Sequence, residues 1–147
     1  MTETEEREKL EIIVGEETFY TDPSALAEIS PVFSAMLQAP LMEKRTNVIN
    51  IEDADSRSFE ILLEVCGVLR SPSSRINSVV TAVGLLRLGQ RYLIREVEVP
   101  SLLYLQQHVT RHTALYILQH LHLLYNKHFT GIAIFIVKVR SIFHFIV

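Results

Sequence analysis

The stretch Phe19-Tyr20-Thr21-Asp22-Pro23-Ser24-Ala25-Leu26-Ala27-Glu28-Ile29-Ser30-Pro31-Val32-Phe33-Ser34-Ala35-Met36 uses one device twice, eight residues apart. Asp22 precedes Pro23, and Ser30 precedes Pro31. In each pair the first side chain can accept from the free N–H groups of a helix start, and proline fits the first helical position. The spacing predicts two short helices in succession, Pro23 to Ile29 and Pro31 to Leu37, with Pro40 ending the second.

Upstream, Leu10 to Val14 is a short apolar run with β-branched residues and reads as a strand. Gly15-Glu16-Glu17 reads as a turn and Thr18 to Thr21 as a second strand, which makes a hairpin. Downstream, Asn47 to Ile51 reads as a third strand, with Ile49 and Ile51 on one face and Asn50 on the other. Asp55-Ser56 opens a longer helix in which Phe59, Leu62, Leu63 and Cys66 form one apolar stripe. Ser71-Pro72-Ser73-Ser74 is a loop. Val79, Val80, Val83 and Leu86 to Leu88 mark the next helix. Pro100 is expected to start another, with Leu102, Leu105 and Val109 facing inward. Leu115, Leu118, Leu121 and Leu124 continue a helical pattern to about Asn126. Strands come early and helices dominate later, so the class is α+β, a helical cluster covering a small sheet, with a further C-terminal helix. Phe19, Leu26, Phe33, Ile49, Ile51, Phe59 and Leu62 are expected to share one interior.

A length of 147 residues suits one domain, and a hydrophobic content of 48% supplies an ordinary core. The net charge of −3 argues against a nucleic-acid-binding surface. Arg70, Arg75, Arg87, Arg91 and Arg95 are scattered and read as solvated helix faces. A single cysteine, Cys66, excludes an intramolecular disulfide and any zinc site built from several cysteines. Met1 to Lys9 is charged and unlike a secretory leader, and reads as a solvated arm. The last 17 residues, Gly131 to Val147, read GIAIFIVKVRSIFHFIV. They are apolar but short, and Lys138, Arg140 and His144 interrupt them, which argues against a membrane span and for a covered strand or helix.

No catalytic or cofactor motif emerges. There is no glycine-rich phosphate loop. Cys66 lies on an apolar helix face, where burial raises a thiol pKa and makes it inert. His108 and His112 stand four apart and are expected to share a helix face, half of a zinc site without a third ligand. The acidic turn of Glu52, Asp53 and Asp55 reads as helix capping. No cofactor, metal or catalytic residue is expected, and a Ser–His–Asp triad is defined by geometry that sequence does not carry.

Two stretches resemble the BTB/POZ family. Phe19, Leu26, Ala27, Ser30, Phe33 and Met36 match the pattern F-x-A-H-[RK]-x-x-L-A-x-x-S-x-x-F-x-x-[ML] without a gap. Met42-Glu43-Lys44, then Val48 to Ala54, then Phe59 to Leu63 are similar to the later M-x-E-x, V-x-[IL]-x-D-[VI] and F-x-x-[LM]-[LM] run. Gly84 to Tyr92 is similar to L-L-x-L-A-x-x-Y. The heptad Ser30 to Met36 resembles the speckle-type, MATH-linked branch. The likeness spans roughly Leu10 to His112.

The resemblance implies a BTB/POZ fold, a homodimer and, in many members, a bridge between cullin-3 ubiquitin ligase and a substrate. It implies that the first helix, with Ser24, Ala27 and Glu28, approaches its twofold mate, where small residues allow close packing. It also implies that Leu41-Met42-Glu43 takes the place of the hydrophobic-x-Glu motif that holds the cullin: an apolar anchor with a carboxylate to orient it. The chain departs from the family at three places. Lys9 stands where the first strand often has Asp, and Asp22-Pro23 replaces a His-basic pair, so both halves of a charged pocket near the subunit boundary are gone together. Gly67-Val68-Leu69 replaces Tyr-Thr-Gly, and no following hairpin is legible in Leu69 to Ile76, an edge lying towards the cullin in relatives.

The expected organisation is an acidic arm at 1–9, the BTB/POZ domain at 10–112, a helical extension at 113–128 and the apolar tail at 129–147. The expected partners are the chain itself or other BTB proteins and cullin-3, with no nucleic acid, in cytoplasm or nucleus. A free-standing scaffold or dominant-negative dimeriser without ligase role is the second reading, since no substrate-binding domain is recognisable on either side. A tail-anchored membrane protein is the third, and an enzyme the last.

Overall fold

The computed structural model describes residues 9–39, 46–67 and 72–121. Gly15 makes the first reversal: alone in its turn it takes a positive φ, 62°, as the first position of a type II′ hairpin turn requires. Around it β1 (Leu10–Val14) pairs antiparallel with β2 (Glu17–Thr21), with Val14 opposite Glu17. The helices α1 (Pro23–Ile29) and α2 (Pro31–Gln38) follow, and β3 (Val48–Ile51) returns to lie parallel to β1, Ile12 opposite Ile49. The sheet order is therefore β2-β1-β3. A parallel return needs a long connection, which the hairpin and two helices provide.

Four helices complete the described chain: α3 (Ser56–Gly67), α4 (Val79–Arg91), α5 (Arg95–His108) and α6 (Arg111–Leu121), with a short 3-10 turn at Pro72–Ser74 between α3 and α4. The inner face of the sheet carries Leu10, Ile12, Val14, Ile49 and Ile51, all buried, while Asn50 is exposed. Leu26, Phe33, Phe59 and Leu62 cover it and are fully buried in the same cluster, with half-buried Phe19 against the Phe59 ring at 5.6 Å. All seven residues expected to share an interior do so. Each large side chain withdrawn in this way contributes about 1.5–3 kcal/mol.

The caps form as their chemistry dictates. Asp22 accepts from the Ser24 N–H at 2.9 Å, Ser30 from the Phe33 N–H at 3.1 Å, and Asp55 from the Ser58 N–H at 3.0 Å. Two helix readings need correction. α5 begins at Arg95, and Pro100 lies inside it. The carbonyl that Pro100 leaves without a helical donor belongs to Glu96, an exposed residue. α4 is closed by Leu93 in a left-handed conformation, φ 55°, with the Ile94 N–H bonded back to the Gly89 carbonyl at 2.8 Å. No glycine or proline marks that break. The inner side of α5 is Val97, Ser101, Leu102 and Leu105; Val109 follows its end and is half-buried. α6 forms where the leucine pattern placed a helix; Ala114 and Ile117 are buried in it, Leu118 is half-buried and Leu115 is exposed. Leu124 and the rest of that pattern lie outside the described residues.

Along α4, Val80 is exposed although its sequence neighbours are not, and on α3 Ile61 joins the core while Leu63 and Cys66 are half-buried. The α4–α5 seam is tight at Gly89. A methyl group there would stand 3.0 Å from Val97 Cγ2 and from Glu98 Cβ, and 3.1 Å from the Glu98 backbone nitrogen. Overpacking costs about 1–3 kcal/mol, and the better helix propensity of alanine returns about 1 kcal/mol. Backbone is among the obstructing atoms, so overpacking wins. Gly89→Ala is expected to lower stability by about 1 kcal/mol in urea denaturation; an unchanged midpoint would show that the seam has room.

Candidate protein-docking site

α1 is seven residues long and has two sides. Leu26 is fully buried, and Ile29 packs half-buried against the core. Ser24, Ala27 and Glu28, at i, i+3 and i+4, share the opposite face. Ser24 and Glu28 are exposed and Ala27 is half-buried. The Ser24 hydroxyl donates to Asp22 Oδ1 at 2.8 Å, so it is held against the helix start rather than projecting. This leaves a low-relief face of small side chains with one carboxylate at its edge.

The corner between α1 and α2 fixes that face. Ser30 ends α1 and caps α2, and it is fully buried. Its hydroxyl donates to the Tyr92 carbonyl at 2.6 Å, across 62 residues of chain. Phe33 stacks on the Tyr92 ring with centroids 4.3 Å apart and planes at 11°. Burial pushes the Tyr92 phenol up, opposed by the Arg91 charge. Tyr92 and the strained, exposed Leu93 beside it were not singled out from sequence as parts of this corner. The residues Leu41, Met42 and Glu43 lie outside the described residues.

The chemistry-bearing side chains elsewhere are dispersed. Burial, with Glu96 nearby, pushes the Cys66 thiol up to about 12, so it stays protonated and non-nucleophilic at neutral pH. His108 ends α5 and His112 is the second residue of α6, so they do not share a helix face as their spacing suggested. The chain turns at Val109, where ψ is 122°, and Thr110 and Thr113 cap each other's N–H groups at 3.3 and 2.9 Å. His108 Nδ1 donates instead to its own Tyr104 carbonyl at 2.8 Å. Among the described residues no group of three His, Cys, Asp or Glu side chains comes together as a metal site. Asp55 is spent on capping Ser58, beside a shallow depression of about 480 Å³ bordered by Ile13, Asn50, Glu52 and Asp53. Arg75 pairs with Glu64 at 3.0 Å on the surface, and Arg91 donates to the Glu52 carbonyl at 2.8 Å. Among the described residues no helix is long and apolar enough to cross a membrane.

One acid is buried away from any of these surfaces. Glu98 is 6% exposed in the α4–α5 seam. Burial pushes its carboxyl up, against the hydrogen bond from Gln90 and the charge of Arg95. The folded chain therefore holds that proton to higher pH than the unfolded chain does. The stability it contributes is complete below the ordinary carboxylate pKa and is lost as pH rises through the raised value. Glu98→Gln is expected to be more stable than wild type at neutral pH and equal to it near about pH 4, as read by urea denaturation at both. A constant difference across pH would contradict this.

The family model of the BTB/POZ domain matches residues 4–108. The chain belongs to the BTB/POZ family, whose domain is a protein–protein interaction module and not an enzyme. No curated protein matches the chain.

Proposed function

We propose that this domain pairs with a second copy through α1 and carries a cullin-3 ubiquitin ligase scaffold through Leu41, Met42 and Glu43. The observation that carries the reading is the two-sidedness of α1: Leu26 is fully buried while Ser24 and Glu28 stand exposed on the other side. A twofold interface must complement itself, and small residues let two such helices approach closely. Family membership supports self-association and docking in general. The Leu41-Met42-Glu43 sequence supports the cullin, with an apolar anchor and an orienting carboxylate. The heptad Ser30 to Met36 supports a place near the speckle-type branch.

A pull-down with cullin-3 tests the ligase reading. Wild type is expected to retain the scaffold, and Leu41→Ala with Glu43→Ala to lose it by at least about thirtyfold, the weight of one hot-spot side chain. Equal capture by both removes the assigned contact. Failure of wild type to capture cullin-3, with self-association intact, leaves a dimerising scaffold as the function.

A further inference from the structure

The sheet has a second face. Opposite the buried side, the strand register lines up two rows: Tyr20, Glu11 and Val48, then Thr18, Ile13 and Asn50. Tyr20 is 65% exposed, Thr18 and Asn50 are exposed, and Ile13 and Val48 are half-buried. The shallow depression beside Asp55, bordered by Ile13, Asn50, Glu52 and Asp53, lies at one end of this face. Glu52 and Asp53 are exposed there, Glu16 is exposed in the adjoining turn, and Glu11 is half-buried between Tyr20 and Val48. These four carboxylates outnumber the two cations at the borders, Lys9 and Arg91, and Arg91 is turned to the Glu52 carbonyl at 2.8 Å. We infer that this open face of the sheet seats an amphipathic helix of another protein, one whose apolar stripe is edged by lysine or arginine.

The dimensions suit that occupant. Neighbouring strands stand about 4.8 Å apart, so three strands are about 10 Å wide, the diameter of one helix. The five residues of β1 run about 17 Å, the length of about three helical turns. A helix laid there covers Tyr20, Ile13 and Val48 with its stripe, as helices cover sheets in layered folds. Its basic edge meets the carboxylates. The same charge disfavours two other occupants. A second copy would set like charge against like, and nucleic acid is repelled in the same way. The seat uses neither α1 nor residues 41–43.

The probe is a fluorescent peptide of about 14 residues, long enough to hold a helix, with leucine on one face and lysine on its flanks. Fluorescence anisotropy reads its binding to the full chain, and wild type is expected to bind it saturably. Glu52→Gln with Asp53→Asn is expected to weaken binding at least about tenfold; asparagine tolerates the left-handed backbone at residue 53, where φ is 54°. Tyr20→Ser, which removes no charge, is expected to weaken it at least about tenfold as well. Glu60→Gln, which neutralises an exposed carboxylate on α3, is expected to leave it unchanged. Absence of binding by wild type overturns the proposal, and so does an equal loss in Glu60→Gln. Tyr20→Ser binding as tightly as wild type also overturns it, because the attraction would then be ionic alone. A Tyr20→Ser variant that turns a dimeric wild type into a monomer in light scattering gives the face to a second copy and overturns it too.

Discussion

Phe33→Ala is expected to cost about 3–5 kcal/mol, towards the upper end of the range for emptying a buried aromatic site. Phe33 is fully buried, and its ring lies on Tyr92 at 4.3 Å, so the substitution removes packing under α2 and the stack on the end of α4 together. Domains of this size hold only about 5–15 kcal/mol in all, so the melting temperature is expected to fall by roughly 10–20 °C. Circular dichroism on heating measures it. A loss below about 1 kcal/mol would show that the α2 face is not part of the core.

Ser30→Ala is the second large effect, although it deletes one oxygen. That oxygen donates to the Tyr92 carbonyl at 2.6 Å and accepts from the Phe33 N–H at 3.1 Å, in a site with no exposure. Its loss orphans a buried acceptor and strands a helix N–H, each worth about 1–3 kcal/mol. The expected total is about 2–4 kcal/mol, read from urea denaturation. Because Ser30 and Phe33 both grip Tyr92, the two substitutions are expected to cost less together than the sum of their separate losses. Strict additivity would mean that they act on different structures.

The corner is also the part of the fold most legible in the chain. Asp22-Pro23 and Ser30-Pro31 announce their helices because capping is local chemistry between a side chain and the next few N–H groups. The outward set Ser24, Ala27 and Glu28 came from the family resemblance, and the helix geometry places Leu26 on the other side. What the corner rests on was not legible. The partner of Ser30 is a backbone carbonyl 62 residues away, and no pattern in the chain points to it. The parallel return of β3 onto β1 is hidden for the same reason: pairing partners are chosen by the packed whole. Helix limits failed where a residue acted out of type. Leu93 closes α4 in a conformation associated with glycine, so Pro100 looked like the start of α5. In α6 the leucine pattern marked the helix but not its buried side, where Ala114 and Ile117 sit. The histidine pair fell to the break at Val109 and Thr110, which an apolar period cannot register.

The central claim is that α1 is an outward face for a second copy of the chain. Light scattering on the purified protein, wild type beside Ala27→Arg, tests it most directly. Wild type is expected at twice the 16.8 kDa of one chain, and Ala27→Arg, whose long cation cannot be accommodated between two close helices, at the mass of one. A wild type that remains a monomer as its concentration is raised, or an Ala27→Arg variant that pairs as well as wild type, would contradict the assignment of that face.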